Sequence, residues 1–154
     1  MLPALSDIGT QQAQPTVKVL DKIQQLLDYA NTYKHVYLCF YASDMQLHVD
    51  TDAAFLVLPK ARSRIAGYFR LLSNNKYVDN GPILIECRTL RSVVTSDAES
   101  ETHGVFHNEK KVLPIRHILK EIGHPQHSPT PIRTDNSTSA GYVNKNMQMK
   151  HSKT

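Results

Sequence analysis

Three carboxylates in this chain of 154 residues stand where structural elements should begin or end. Asp52 closes the run LHVDTD before the small pair Ala53 and Ala54, Glu101 lies in the early turns of an expected helix, and Asp135 ends the run PIRTD. If the strands carrying Asp52 and Asp135 are parallel neighbours, the two aspartates converge, and a helix packed above lowers Glu101 toward both. Such a cluster of hard oxygen ligands suits Mg²⁺ or Mn²⁺. Two such ions about 3.5 to 4 Å apart can activate water and stabilise a leaving oxygen in phosphodiester cleavage. Acidic residues also decorate strand ends and helix N-termini in ordinary structural roles, so spacing alone does not establish a metal site.

Neighbouring acidic residues compete for the same roles. Asp50 and Asp52 share a strand face, because side chains alternate with period two, and geometry leaves either possible. Glu99 and Glu101 are about 200° apart around a helix, so normally only one enters a site. Glu101 falls in line with Ala98 and Val105, which turns it toward the packed face, where an unpaired carboxylate is costly unless a metal neutralises it. His103 and His107 have a helical spacing that can bind zinc, but no third ligand or HExxH context accompanies them. Asn136, Ser137 and Thr138 form a glycosylation sequon that is better explained as a helix cap. KARSRIAGYFRLL combines Lys60, Arg62, Arg64 and Arg70 with Tyr68 and Phe69, as a strand tracking a nucleic-acid backbone with stacking residues would. An ordinary basic strand edge has the same composition.

The elements that must position these residues can be read from periodicity. Leu20, Ile23, Leu27 and Ala30 recur at helical spacing after Pro15 and Thr16, predicting an amphipathic helix with that stripe toward a core or a neighbouring domain. From Val36 the pattern turns β-rich, with pieces VYLCFY, MQLHVDTDAAFLVL, SRIAGYFRLL and GPILIECRTL. NNKYVDNG before the last piece suits a hairpin turn, and at least three of the four should form an antiparallel meander. SVVTSDAESETHGVFHNEKKVLPIRHILKEIGHP reads as a helix capped by Thr95 or Ser96, stopped by its GHP and interrupted or kinked at Pro114. A Pro-rich link then leads to the short strand PIRTD and a final helix from about Ser137. Meander, crossover helix and returning strand together imply an α/β fold with a mixed sheet.

Composition narrows the class. A 40% hydrophobic and 21% charged chain is ordinary for a globular domain, and no apolar run approaches the roughly 20 residues that span a bilayer. The first residues lack a basic n-region and a long apolar stretch, so an intracellular protein, cytoplasmic or nuclear and not secreted, is expected, without a membrane role. Cys39 and Cys87 lie in apolar contexts without a CxxC partner, which suits buried reduced thiols. The net charge of +4 favours approach to a polyanion without identifying one. The basic tail KNMQMKHSKT can contact phosphate or remain solvated.

Longer stretches carry a resemblance. SDMQLHVDTDAAFLVLPKARSRIAGYF, SDAESETHGVFHN, PIRHILKEIGHPQ and PIRTDNSTSAGYV are similar to the ribonuclease H domain of copia-type LTR retrotransposon polyproteins. The lead, LPALSDIGTQQAQPTVKVLDKIQQLLDYANTY, resembles the segment joining the reverse transcriptase to that domain. The resemblance implies a connection segment with a helix over 1–35 and an RNase H-like domain over 36–154, with a sheet that is five-stranded in the complete family. It implies cutting of the RNA strand of an RNA/DNA hybrid with two divalent ions, Mg²⁺ or Mn²⁺. The family's Asp-Ala-Ser pattern is matched by Asp52-Ala53-Ala54 except for the serine, selecting Asp52. Glu99-Ser100-Glu101 selects Glu101, and Thr134-Asp135-Asn136 selects Asp135. These three are the expected catalytic and metal residues, and Lys60, Arg62, Arg64, Asn136 and Ser137 the expected nucleic-acid contacts.

Family members continue through a further helix to a fourth acidic residue, a role assigned to no residue here, so the fold is expected to be incomplete at its C-terminus. A reverse-transcriptase domain, or a C-terminal segment supplied in trans, is the implied partner. The alternative is a catalytically inactive retroelement fragment that binds nucleic acid or protein.

Overall fold

Alternation along Gln46–Leu58 decides how the sheet is built. Leu47, Val49, Thr51 and Ala53 are buried, while His48, Asp50 and Ala54 between them are half-buried and Asp52 is exposed. This is the period-two pattern of a strand with one packed face. The computed structural model describes residues 1–73 and 80–145, so the expected turn in NNKYVDNG falls largely outside the described residues, as does most of the basic tail. The chain forms two compact units, Met1–Cys39 and Phe40–Thr154.

The first unit contains α1 (Leu2–Thr10) and α2 (Val17–Thr32). Lys22 Nζ lies 2.7 Å from Asp7 Oδ2 between them. The helix expected after Thr16 is present, but its packed stripe is rotated by one residue. Val19 is buried and Ile23, Leu26 and Ala30 are half-buried, whereas Leu20 and Leu27 are 63% and 58% exposed. The sets 19-23-26-30 and 20-23-27-30 share two members and are both helical stripes, so periodicity cannot separate them.

The second unit holds β1 (Gln46–Leu58), β2 (Arg62–Leu72), β3 (Pro82–Thr89), α3 (Asp97–Glu121), β4 (Ile132–Arg133) and α4 (Ser137–Val143). The sheet is mixed, in the order β3-β2-β1-β4. The first three strands form the antiparallel meander, and β4 joins β1 in parallel through Val49 with Ile132 and Asp50 with Arg133. α3 packs on the face carrying Leu47, Val49 and Phe69, which form a core with Val112 and Leu119. Ala53, Ile65, Leu90 and Val94 form a second buried cluster.

Two close approaches set α3 on the sheet. A Cβ on Gly67 of β2 would lie 2.4 Å from Asn108 Oδ1, and one on Gly104 of α3 would lie 3.3 Å from Thr51 Oγ1. The Asn108 amide occupies the space over Gly67 and donates to Thr51 Oγ1 (2.8 Å) and Ala66 O (2.9 Å). The helix is thereby pinned to both central strands.

Both ends of α3 are closed by side chains and turns the residues dictate. Ser96 Oγ accepts from Glu99 N (3.1 Å), while Glu99 Oε2 reaches back to Thr95 N (2.7 Å) and Thr95 Oγ1 (2.9 Å). These bonds hold the Glu99 carboxyl below the usual carboxylate range, Thr95 N–H first. At the other end His124 N donates to Leu119 O (2.8 Å) and Gly123 N to Lys120 O (3.1 Å), with Gly123 at φ +91°. That is a Schellman closure, and its left-handed residue favours glycine. α3 runs as one element through Pro114, so the expected interruption there does not divide it.

Several expectations are corrected. VYLCFY is not a strand: 36–41 lies in neither helix nor strand and is exposed, Tyr37 at 81%. At its end Tyr41 N donates to Asn80 Oδ1 (2.8 Å) and Tyr41 O accepts from Asn80 Nδ2 (3.1 Å); β propensity alone does not make a strand. Cys39 is consequently exposed, and Cys87 on edge strand β3 is half-buried, so neither thiol is a core group. The helix begins at Asp97, so Ser92–Thr95 precede it. Four strands are present among the described residues. No helix of the described residues is long and apolar enough to cross a membrane.

Candidate metal centre

β1 outruns β4, and the site forms where they part. Val49 N donates to Pro131 O (3.1 Å), so the alternate amides of Thr51 and Ala53 point to the same edge of β1. β4 ends at Arg133, which leaves the Ala53 N–H beyond its reach. Glu101 takes that place: its Oε1 accepts from Ala53 N (3.0 Å) and its Oε2 from Thr134 Oγ1 (3.3 Å). A glutamate from α3 thus bridges the diverging ends of two parallel strands.

Asp52, on β1, and Asp135, just past β4, flank that glutamate. Ligand atoms of Asp52, Glu101 and Asp135 all lie within 4.8 Å of one another. Glu101 is 3% exposed, whereas both aspartates are exposed to solvent. Burial pushes the Glu101 carboxyl above the usual range; the Ala53 N–H opposes that rise, and the charges of Asp52 and Asp135 add to it. The donor set fits a divalent cation. Three hard oxygen ligands converge, one is buried among like charges, and the two aspartates are open to solvent. Among the described residues these three make the one such cluster.

The alternatives left open by spacing are resolved by partners. Asp50 pairs with Arg70, whose guanidinium also lies 5.3 Å from the centre of the Tyr68 ring. Glu99 is occupied at the cap of α3. His107 contacts Arg88, and its pKa is lowered by burial and then by that guanidinium. His103 meets Ser92 Oγ at 3.3 Å.

The expected nucleic-acid residues are divided. Arg64 pairs across from Ala54 and so shares a sheet face with Asp52, one strand away. Lys60 lies in the β1–β2 turn at φ 64° and Arg62 opens β2, both exposed. Phe69 is fully buried beneath α3 and cannot stack on a base; Tyr68 lies on the opposite face. Asn136 caps α4, accepting from Ser139 N (3.0 Å) and donating to Asp97 Oδ2 (3.3 Å). Ser137 is the exposed first residue of that helix.

Residues that sequence reasoning did not single out hold the site's frame. The Gln126 amide donates to Met45 O (2.9 Å) and accepts from Leu47 N (2.9 Å), imitating a strand beside the start of β1. Arg116 on α3 donates to Gln126 O (2.6 Å), Ser128 O (2.9 Å) and Thr130 Oγ1 (2.8 Å). Together they fix the crossover that delivers β4. A lone glutamine and arginine carry no local pattern that would have marked them.

Compared with known proteins, the chain matches no family model, no curated protein and no solved structure.

Proposed function

We propose that this chain is a retrotransposon-derived, RNase H-like domain that cleaves the RNA strand of an RNA/DNA hybrid with Mg²⁺ or Mn²⁺. The observation that carries this reading is the convergence of Asp52, Glu101 and Asp135 from β1, α3 and the end of β4. The similarity of four long stretches to copia-type RNase H domains supports it and supplies the substrate class.

In this reading Asp52 and Asp135 present carboxylate oxygens from the exposed side, and Glu101 presents the outward side of a carboxylate already fixed by Ala53 and Thr134. Bound divalent ions would polarise the scissile phosphate and lower the pKa of the attacking water. Arg64, Arg62 and Lys60 bind the phosphate backbone and orient it across the face that carries Asp52. A reverse-transcriptase domain is the partner the reading implies.

The test is cleavage of a labelled RNA/DNA hybrid in Mg²⁺ and in Mn²⁺, with an RNA/RNA duplex as control. Hybrid-selective cutting that falls at least about a hundredfold in Asp52→Asn supports the nuclease, since even indirect supports of a metal site cost about that much. Hybrid binding without cutting by well-folded protein favours the binding module instead.

A further inference from the structure

Thr134 is neither acidic nor basic, yet its hydroxyl meets the Glu101 carboxylate and the backbone N–H of Asn136, next to Asp135. Its Oγ1 accepts from Asn136 N (3.3 Å), which closes a tight turn around Asp135. The same oxygen donates to Glu101 Oε2 (3.3 Å). Because Asn136 N–H supplies a proton to the hydroxyl oxygen, the hydroxyl's own proton is left for the carboxylate. One side chain therefore fixes the turn presenting Asp135 and the rotation of Glu101. The Ala53 N–H holds the other oxygen of Glu101, and with only that bond the carboxylate could swing about it.

We infer that Thr134 is a positioning residue for divalent-cation binding, coupling the β4 turn to the α3 glutamate. This rests on the metal-centre reading above. Second partners of this kind typically change metal affinity about 10- to 100-fold when removed. The hydroxyl is what matters here, since valine has the shape of threonine without a donor or acceptor.

The experiment is Mn²⁺ titration of the full chain, followed by the electron paramagnetic resonance of free Mn²⁺, with melting of each metal-free variant measured alongside. Asp52→Asn reports on the metal centre itself. Thr134→Val and Thr134→Ala remove the hydroxyl with and without conserved bulk, and Thr134→Ser retains it. The expected result is Mn²⁺ binding that is lost in Asp52→Asn, weakened about tenfold or more in Thr134→Val and Thr134→Ala, and restored in Thr134→Ser. A merely structural threonine would lower the metal-free melting midpoint and leave Mn²⁺ affinity of the folded protein unchanged. Unchanged affinity in both hydroxyl-free variants beside a loss in Asp52→Asn, or failure of serine to restore it, overturns the role of Thr134 alone. Absence of Mn²⁺ binding to the wild type, or binding indifferent to Asp52→Asn, overturns the metal centre and this role with it.

Discussion

Glu101 is a buried carboxylate held by two donors and faced by two like charges. Its pKa lies above the ordinary glutamate value of 4.5, through burial first. Below about pH 4.5 the residue is protonated in both folded and unfolded chains and contributes nothing to the pH dependence. As pH rises past that value the unfolded chain ionises first, so the folded state loses stability until its own raised pKa is passed. Metal-free Glu101→Gln is therefore expected to melt above the wild type at pH 7, with the gap closing as pH falls toward about 4.5. A pH-independent gap in calorimetry would reject this account. Cation binding requires the ionised carboxylate and should weaken over the same range as pH falls. Gly67 makes the complementary point for packing. An added Cβ meets the Asn108 amide, which cannot yield without losing Thr51 and Ala66. Gly67→Ala should cost about 1–3 kcal/mol in urea unfolding. Gly67→Ala with Asn108→Ala should cost less than the sum of the two single changes, and strict additivity would show that the two residues do not meet.

At the scale of elements, the site depends on how a two-residue strand is delivered beside β1. β4 has little pairing of its own, so Arg116 and Gln126 supply what strand length does not. Gln126→Ala should leave the amides of β2 and α3 protected from hydrogen exchange while those around 131–136 exchange faster. Mn²⁺ affinity should fall with them, because Asp135 and Thr134 lie in that segment. Uniform loss of protection across the unit would instead make Gln126 a general core residue. The caps of α3 act at the same scale. They set where the helix starts, and hence that Glu101, rather than Glu99, faces the end of β1.

The molecule as a whole consists of two compact units joined within an exposed apolar stretch. Tyr37 and Phe40 are exposed there, outside helix and strand, where a protease can reach them. Chymotrypsin at limiting dose is expected to cut first within 36–40, giving a stable product that retains the β1–β3 meander and α3. Mass spectrometry locates the cut. First cleavage inside the meander would contradict the division into units.

Much of this arrangement is local and therefore readable in the chain. Period two marks β1, β2 and β3, a capping serine followed three residues later by glutamate marks the start of α3, and glycine before His-Pro marks its end. The three candidate ligands could be proposed because each sits at such an end. The resemblance, in turn, favoured Asp52 over Asp50, and Glu101 over Glu99. Other features were decided only by tertiary contacts: the α2 stripe, the absence of strand structure in VYLCFY, and the roles of Thr134, Gln126 and the Gly67–Asn108 contact. Glu101 meets its donors 33 and 48 residues away, and Gln126 meets Met45 across 81. Side-chain type and spacing encode what a residue can offer and which way its element turns it. Whether a hydroxyl, an amide or a strand edge finds its partner depends on chain segments far away in sequence, and that is settled only when the elements pack.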